Sequence, residues 1–235
     1  DLSKIEAGKM ELYLEDFALP QDMLKEVHSA VEGILENGSF PIVLGGEHSL
    51  TPAIVAALKE KLDFGVIVLD AHMDFRDEYL NVRNSHACAT RRSADIVGPK
   101  AIVPIGVRSV SRDELEQIEK DFKDRFHYID AFEVRRTGIG PAVRKALKWI
   151  GKKNIYFSLD MDALDPAYAP GTGTPEPFGL TSWDVKEAIG ILAHRLIGFD
   201  IVEIAPNYDN GNTAALGARI VREVIAAVHK ARAGK

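Results

Sequence analysis

Short apolar runs recur along the chain, each separated from the next by a stretch with helical spacing, and this alternation constrains the fold more than any other feature. GVIVL at 65–69 and NIYFSL at 154–159 carry few polar side chains, as strands do when helices cover both of their faces. Strands are read at 40–44, 65–70, 101–107, 126–129, 154–160 and 197–204, with a weaker candidate at 11–14. Helical patterns occupy 21–36, 50–62, 87–97, 112–123, 141–150, 182–194 and 213–230. In the first of these, Leu24, Val27, Val31, Ile34 and Leu35 follow three- and four-residue spacing, which marks one buried helix face. Gly38 stops that helix, and Thr181 or Ser182 supplies an N-cap for a later one. Such alternation predicts an α/β fold, a three-layer α/β/α sandwich around a mainly parallel sheet. No repeat, low-complexity tract or Pro/Ser-rich linker divides the 235 residues, so 1–235 reads as a single domain.

Polar residues gather where the apolar runs stop. Leu44 leads into GGEHS (45–49), Leu69 into DAHMD (70–74) and Leu159 into DMD (160–162), while Val202 and Ile204 flank Glu203. The C-terminal ends of parallel strands lie along one edge of the sheet, the usual ligand crevice of an open α/β fold. Four pieces of chain thus carry His48, Asp70, His72, Asp74, Asp160, Asp162 and Glu203 toward one region. Crowded aspartates cannot all stay ionised without a counter-charge, and these motifs contain neither Lys nor Arg. Either several carboxyls keep their protons or divalent cations sit among them. The two histidines favour cations, because imidazole is a common metal ligand. Asp70 and Asp74 would stand about 13 Å apart on a straight strand, so the chain must turn after Asp70 if both are to reach one ion. DxHxD paired with DxD suits two adjacent ions, about 3.5–4 Å apart in such sites. Oxygen-rich ligation leans toward manganese, with zinc, iron and cobalt also compatible.

Composition narrows the function classes. A total of 29 Lys and Arg against 35 Asp and Glu leaves a net charge of −6, which argues against a nucleic-acid partner. The longest apolar runs are strand-sized, so no membrane span is expected, and no secretory leader pattern opens the chain. Cys88 is the lone cysteine, in keeping with a reducing compartment, and is expected to act as a small buried hydrophobe. His28, His127, His194 and His229 are expected at surface or satisfied core positions, and Arg91 and Arg92 on a helix surface or interface. His86 differs: it follows the acidic loop in NSHAC, where a helix begins, with Ser85 as its cap.

GGEHSLT, DAHMDFRDEY, NSHACATRR, SLDMDALDPAYAPGTGTPEPFGL and DIVEIAPNYD, with IGVRS at 105–109, resemble the ureohydrolase (arginase/agmatinase) family, and within it the agmatinase branch. The resemblance implies two manganese ions. One would be held by His48, Asp70, Asp74 and Asp160, the other by Asp70, His72, Asp160 and Asp162, so that Asp70 and Asp160 bridge. It also implies His86 as the catalytic histidine, exchanging a proton with the leaving amine, and Glu203 as the residue that holds the substrate guanidinium. By the same resemblance the chain is expected to be a cytoplasmic homo-oligomer, a trimer or hexamer, that takes a small cationic guanidino substrate in polyamine (putrescine) biosynthesis. Family members carry a strand and a Gly/Pro-rich loop ahead of this region. The chain begins at Asp1 with no counterpart of that strand, and is expected to be incomplete at its N-terminus.

The chemistry of the residues agrees with the resemblance. A guanidinium resists attack because its charge is delocalised, and water bridging two divalent ions becomes a hydroxide nucleophile near neutral pH. Glu203 can accept two parallel hydrogen bonds that set the guanidinium carbon over that nucleophile. Five carboxylates against two divalent ions and one hydroxide leave a charge of −2, which suits a cation and repels phosphate esters. Asp74 is expected to take the hydroxide proton and pass it on with His86 assisting. The expected reaction converts agmatine to urea and putrescine. EYLNVRNS at 78–85 is unlike the Asn/Ser/Thr-rich loop with which arginases bind the amino-acid end of arginine, which favours the decarboxylated substrate. Arginine and guanidinobutyrate are the alternative substrates, and a metal-binding but inactive relative is the rival from another class.

Overall fold

The computed structural model describes residues 20–233; the weak strand candidate at 11–14 lies outside them. Six strands, Ile42–Leu44 (β1), Phe64–Leu69 (β2), Ile102–Val107 (β3), Ile129–Asp130 (β4), Asn154–Asp160 (β5) and Leu196–Val202 (β6), pair in the order β1-β6-β5-β2-β3-β4. Every described pairing is parallel. The two-residue period of the strands sorts their side chains into two cores. Ile67, Leu69, Val103, Ile105, Phe157 and Leu159 enter one of them. Val66, Val68, Ile102 and Tyr156 enter the other.

Helices Pro20–Glu36 (α1), Thr51–Lys59 (α2) and Ala89–Val97 (α3), with the turn that follows Arg112–Gln117 (α4), close the second core through Val31, Ile54, Leu58, Ala94 and Ile118. The first core is closed by Ala131–Thr137 (α5), Ile139–Ile150 (α6), Ser182–Leu192 (α7) and Asn212–Ala233 (α8), through Val134, Val143, Ile189 and Val224. These are the three α/β/α layers that the apolar strands require. No described helix is long and apolar enough to cross a membrane.

Strand order positions the site. From β2 the chain steps outward to β3 and then β4, whereas from β5 it steps the opposite way to β6, beside β1. Winding therefore reverses between the adjacent strands β2 and β5, and the carboxyl ends of such a pair open onto a crevice. Asp70 follows β2 directly and Asp160 ends β5.

The structure differs from the sequence reading at several ends. β4 pairs only through Ile129 and Asp130, because the Asp130 side chain turns to accept from Glu133 N at 2.6 Å and starts α5, a helix the periodicity did not reveal. Gly138, at φ +91°, separates α5 from α6. α4 stops at Gln117 and continues as a wider turn over Ile118–Phe122. Thr181, not Ser182, caps α7, in a reciprocal bond with Asp184. Arg91 and Arg92 are largely buried rather than on the surface: Arg91 lies over the Phe75 and Phe122 rings, and Arg92 donates to Asp77 at 2.7 Å. Cys88 is fully buried.

Candidate active site

The GGEHS turn that follows β1 is closed by a near-contact only glycine permits. A Cβ at Gly45 would lie 2.4 Å from Leu50 Cδ2 and 2.9 Å from Val202 Cγ1. The turn drives His48 inward, where it is 1% exposed. Its Nδ1 lies 3.3 Å from Asp70 Oδ2, 3.4 Å from Asp74 Oδ2 and 3.2 Å from Asp160 Oδ2. Its Nε2 meets Ser158 Oγ at 3.1 Å, and Ser158 in turn donates to Asp200 Oδ1 at 2.6 Å. The turn required after Asp70 is present: Asp74 adopts φ +50°, a left-handed conformation that aims its carboxylate back at His48.

A second group adjoins the first. His72 Nδ1 stands 2.9 Å from Asp162 Oδ2 and 3.7 Å from Asp70 Oδ1. Backbone N–H groups orient the carboxylates: His72 N donates to Asp70 Oδ1 at 2.6 Å, Ala71 N to Asp162 Oδ1 at 3.1 Å and Asp162 N to Asp160 Oδ1 at 2.8 Å. Burial, then the charges of Asp74 and Asp162, push the Asp70 carboxyl up to about 8. Burial and the same crowding carry Asp160 well above the carboxylate range. Burial opposes charging of His72, but the carboxylates around it, Asp162 foremost, win and raise it to about 9. His48 is raised for the same reason against its own burial.

This cluster is poorly satisfied by protein alone. His48 Nδ1 and Asp70 Oδ2, facing each other, are both buried without a hydrogen-bond partner among the described residues. Each such orphan costs about 1–3 kcal/mol. Donor atoms of His48, Asp70 and Asp160 fall within 4.8 Å of one another, as do those of Asp70, His72 and Asp162, and Asp70 belongs to both sets. Mixed imidazole and carboxylate donors are the ligand chemistry of divalent transition ions, so the residues fit a pair of cations with a shared carboxylate.

Above the cluster opens a cavity of about 300 Å³, lined by His72, Asp74, Asp160, Asp162, His86 and Glu203 together with Arg76, Tyr79, Ser109 and Glu114. Glu203 ends the pairing of β6 by adopting φ +60°. Its N–H donates to Gly46 O at 2.8 Å, and its Oε1 accepts from His48 N at 2.7 Å. Burial pushes the Glu203 carboxyl up, against the pull of the His48 N–H and charge. Asp74 and Glu203 are thus both non-glycine residues in a strained conformation, worth about 1–3 kcal/mol each, a cost that concentrates at functional sites. His86, half exposed, presents its ring edge to Tyr79 and holds Nδ1 2.9 Å from Glu47 Oε2. Ser85 occupies the cap position of the turn at His86–Cys88, but its side chain makes no capping bond.

All eight candidate residues from the sequence therefore line this cavity or lie buried directly beneath it. Sequence reasoning passed over Glu47, Ser158 and Thr174, which donates to Asp162 Oδ2 at 3.2 Å, all of which touch them, and Asp200, which holds Ser158 from behind. Ser158 and Asp200 do leave a signal, as lone polar residues inside apolar strands.

Comparisons with known proteins identify the family. The arginase family model matches residues 1–227. An agmatinase of Halalkalibacterium halodurans is 36% identical over 96% of this chain and 75% of its own length. The mitochondrial guanidino acid hydrolase of Homo sapiens is 37% identical over 89% of this chain and 61% of its own. Among solved structures, the agmatine ureohydrolase of Thermoplasma volcanium superposes with a TM-score of 0.85 at 42% identity, covering 92% of this chain and 72% of that one. The chain therefore belongs to the arginase family, as an agmatinase-like ureohydrolase.

Proposed function

We propose that the protein hydrolyses agmatine to urea and putrescine with two manganese ions, one held by His48, Asp70, Asp74 and Asp160 and the other by Asp70, His72, Asp160 and Asp162. Such a pair supplies a water acidic enough to attack a guanidinium at neutral pH. The observation that carries the reading is the placement of Glu203. Its carboxylate is fixed by a left-handed backbone and by the His48 N–H, in the same cavity as the anionic donor cluster and His86. Oε2 is free to accept and Oε1 keeps a second lone pair beside the His48 N–H, so the carboxylate can take both N–H groups of a planar guanidinium and hold its carbon over the cluster. Asp74 takes a proton from the attacking water in this reading. His86, across the cavity, delivers a proton to the amine nitrogen as the C–N bond breaks.

A second reading, a guanidino acid such as guanidinobutyrate, is favoured by Arg76. It lines the same cavity, and Glu114, 3.7 Å away, already accepts from Phe75 N, Ser111 N and Ser111 Oγ. A guanidinium so loosely paired could receive a substrate carboxylate. The test is to load the protein with manganese, supply agmatine, arginine and guanidinobutyrate separately, and measure urea. Turnover of agmatine well above the other two supports the proposal; preference for guanidinobutyrate selects the second reading; no urea from any, with metal bound, refutes both. The proposal includes a single-domain chain that assembles as a cytoplasmic trimer or hexamer, which sedimentation and cell fractionation test.

A further inference from the structure

We propose that Glu47 is a positioning residue that accepts the Nδ1–H of His86 and so presents Nε2 to the cavity as the nitrogen that exchanges a proton with the leaving amine. The proposal deepens the hydrolase reading and rests on the role assigned there to His86. Glu47 opens the turn His48–Leu50 in an extended conformation, φ −78° and ψ 163°. Both of its oxygens are engaged: Oε1 accepts from the hydroxyl of Ser49, a residue 1% exposed, and Oε2 faces His86 Nδ1 at 2.9 Å. Among the described residues no Lys or Arg pairs with Glu47, so its charge is directed at the imidazole alone. Tyr79 packs against the same ring at a steep angle, with centroids 5.8 Å apart.

An imidazole that donates one N–H to a carboxylate has its tautomer and plane set by that bond. With Nδ1–H committed to Glu47, the nitrogen that gains and loses the working proton is Nε2. In the step proposed, the C–N bond breaks with its electron pair remaining on the amine nitrogen. That nitrogen takes the proton from Nε2–H, and His86 is left neutral with Nδ1–H still on Glu47. One five-residue turn would then organise three parts of the site: the His48 ligand, Glu203 through the His48 N–H, and His86 through Glu47.

The test combines kinetics on manganese-loaded protein with imidazole nitrogen NMR on protein loaded with diamagnetic magnesium. Glu47→Gln is expected to lower kcat for agmatine by about 10–100-fold, part of what a general acid contributes, while KM and bound manganese stay near wild type. Glu47→Asp should recover part of the loss. In a His86→Ala background, Glu47→Gln should have no further effect, because residues acting through one another are not additive. A full additional loss in that background, or loss of metal with unchanged kcat, overturns the proposal. The NMR arm stands apart from turnover: neutral His86 should carry its proton on Nδ1 in the wild type and become a tautomer mixture in Glu47→Gln. An Nε2–H signal in the wild type overturns the proposal even if agmatine is hydrolysed. A wild type that makes no urea but shows Nδ1–H instead overturns the assigned reaction and leaves the Glu47–His86 arrangement standing.

Discussion

Arg108 leaves the end of β3 with its guanidinium aimed at backbone rather than at a carboxylate. It donates to the carbonyls of Asp162 at 2.7 Å, Glu176 at 2.7 Å and Pro177 at 2.9 Å. Longer contacts of 3.2–3.3 Å reach Gly106, Ala163 and Leu164. The side chain thereby ties the DMD turn to the loop that bears Thr174, which itself donates to Asp162. Burial holds the guanidinium below the usual arginine range. Arg108→Met keeps the apolar stem and deletes the clamp. Three short bonds at roughly 1 kcal/mol each give a loss of about 3 kcal/mol, less some recovery because no charge remains to be desolvated. A net 2–3 kcal/mol in a chain of this size lowers Tm by about 4–12 °C. The assay is thermal unfolding with and without manganese, together with metal per chain. The ion assigned to Asp70, His72, Asp160 and Asp162 should be lost first, because Asp162, whose carbonyl Arg108 holds, is assigned to that ion and not to the other. Arg108→Lys should fall between, since an ammonium cannot present the planar fork. A Tm within about 2 °C of wild type, with both ions held as tightly, refutes the reasoning.

Asp160→Asn is expected to abolish urea formation and lower metal content at both positions, because the residue is assigned to bridge; a fully active variant would contradict that assignment. His86→Ala should keep both ions and slow turnover by about 10²–10⁴-fold, as loss of a proton-transfer group does, whereas loss of metal would mean that His86 is misplaced. Metal uptake should release protons and weaken as pH falls. His72, raised to about 9, and Asp70, raised to about 8, are both largely protonated at pH 7 and must each lose that proton to ligate. Affinity should therefore climb from pH 6, by about tenfold per unit for each proton displaced, and level off between pH 8 and pH 9 as Asp70 and then His72 lose their protons unaided. Calorimetry in buffers of different ionisation enthalpy reads the protons directly, and a pH-independent affinity would refute the argument.

Much of this was legible in the residues. Apolar runs covered on both faces announced a parallel sheet, and the polar clusters after Leu44, Leu69 and Leu159 announced one crowded edge, because side-chain period and charge repulsion are local properties. The same locality explains the failures. Nothing in AFEVRRT advertises α5 over β4 until Asp130 is seen to cap it, and Arg91 and Arg92 read as surface or interface groups until Phe75, Phe122 and Asp77 close around them.

The order of most elements, the faces of the helices and the inventory of candidate ligating side chains could be read from sequence alone, since each depends on neighbours a few positions away. Which strands lie together was decided only by the tertiary structure. So was the reversal of winding that sets Asp70 beside Asp160, and so were the pairs His86 with Glu47 and His48 with Glu203, 39 and 155 positions apart. Those meetings are contacts between elements that packing brings together across the sheet, and no local pattern encodes them.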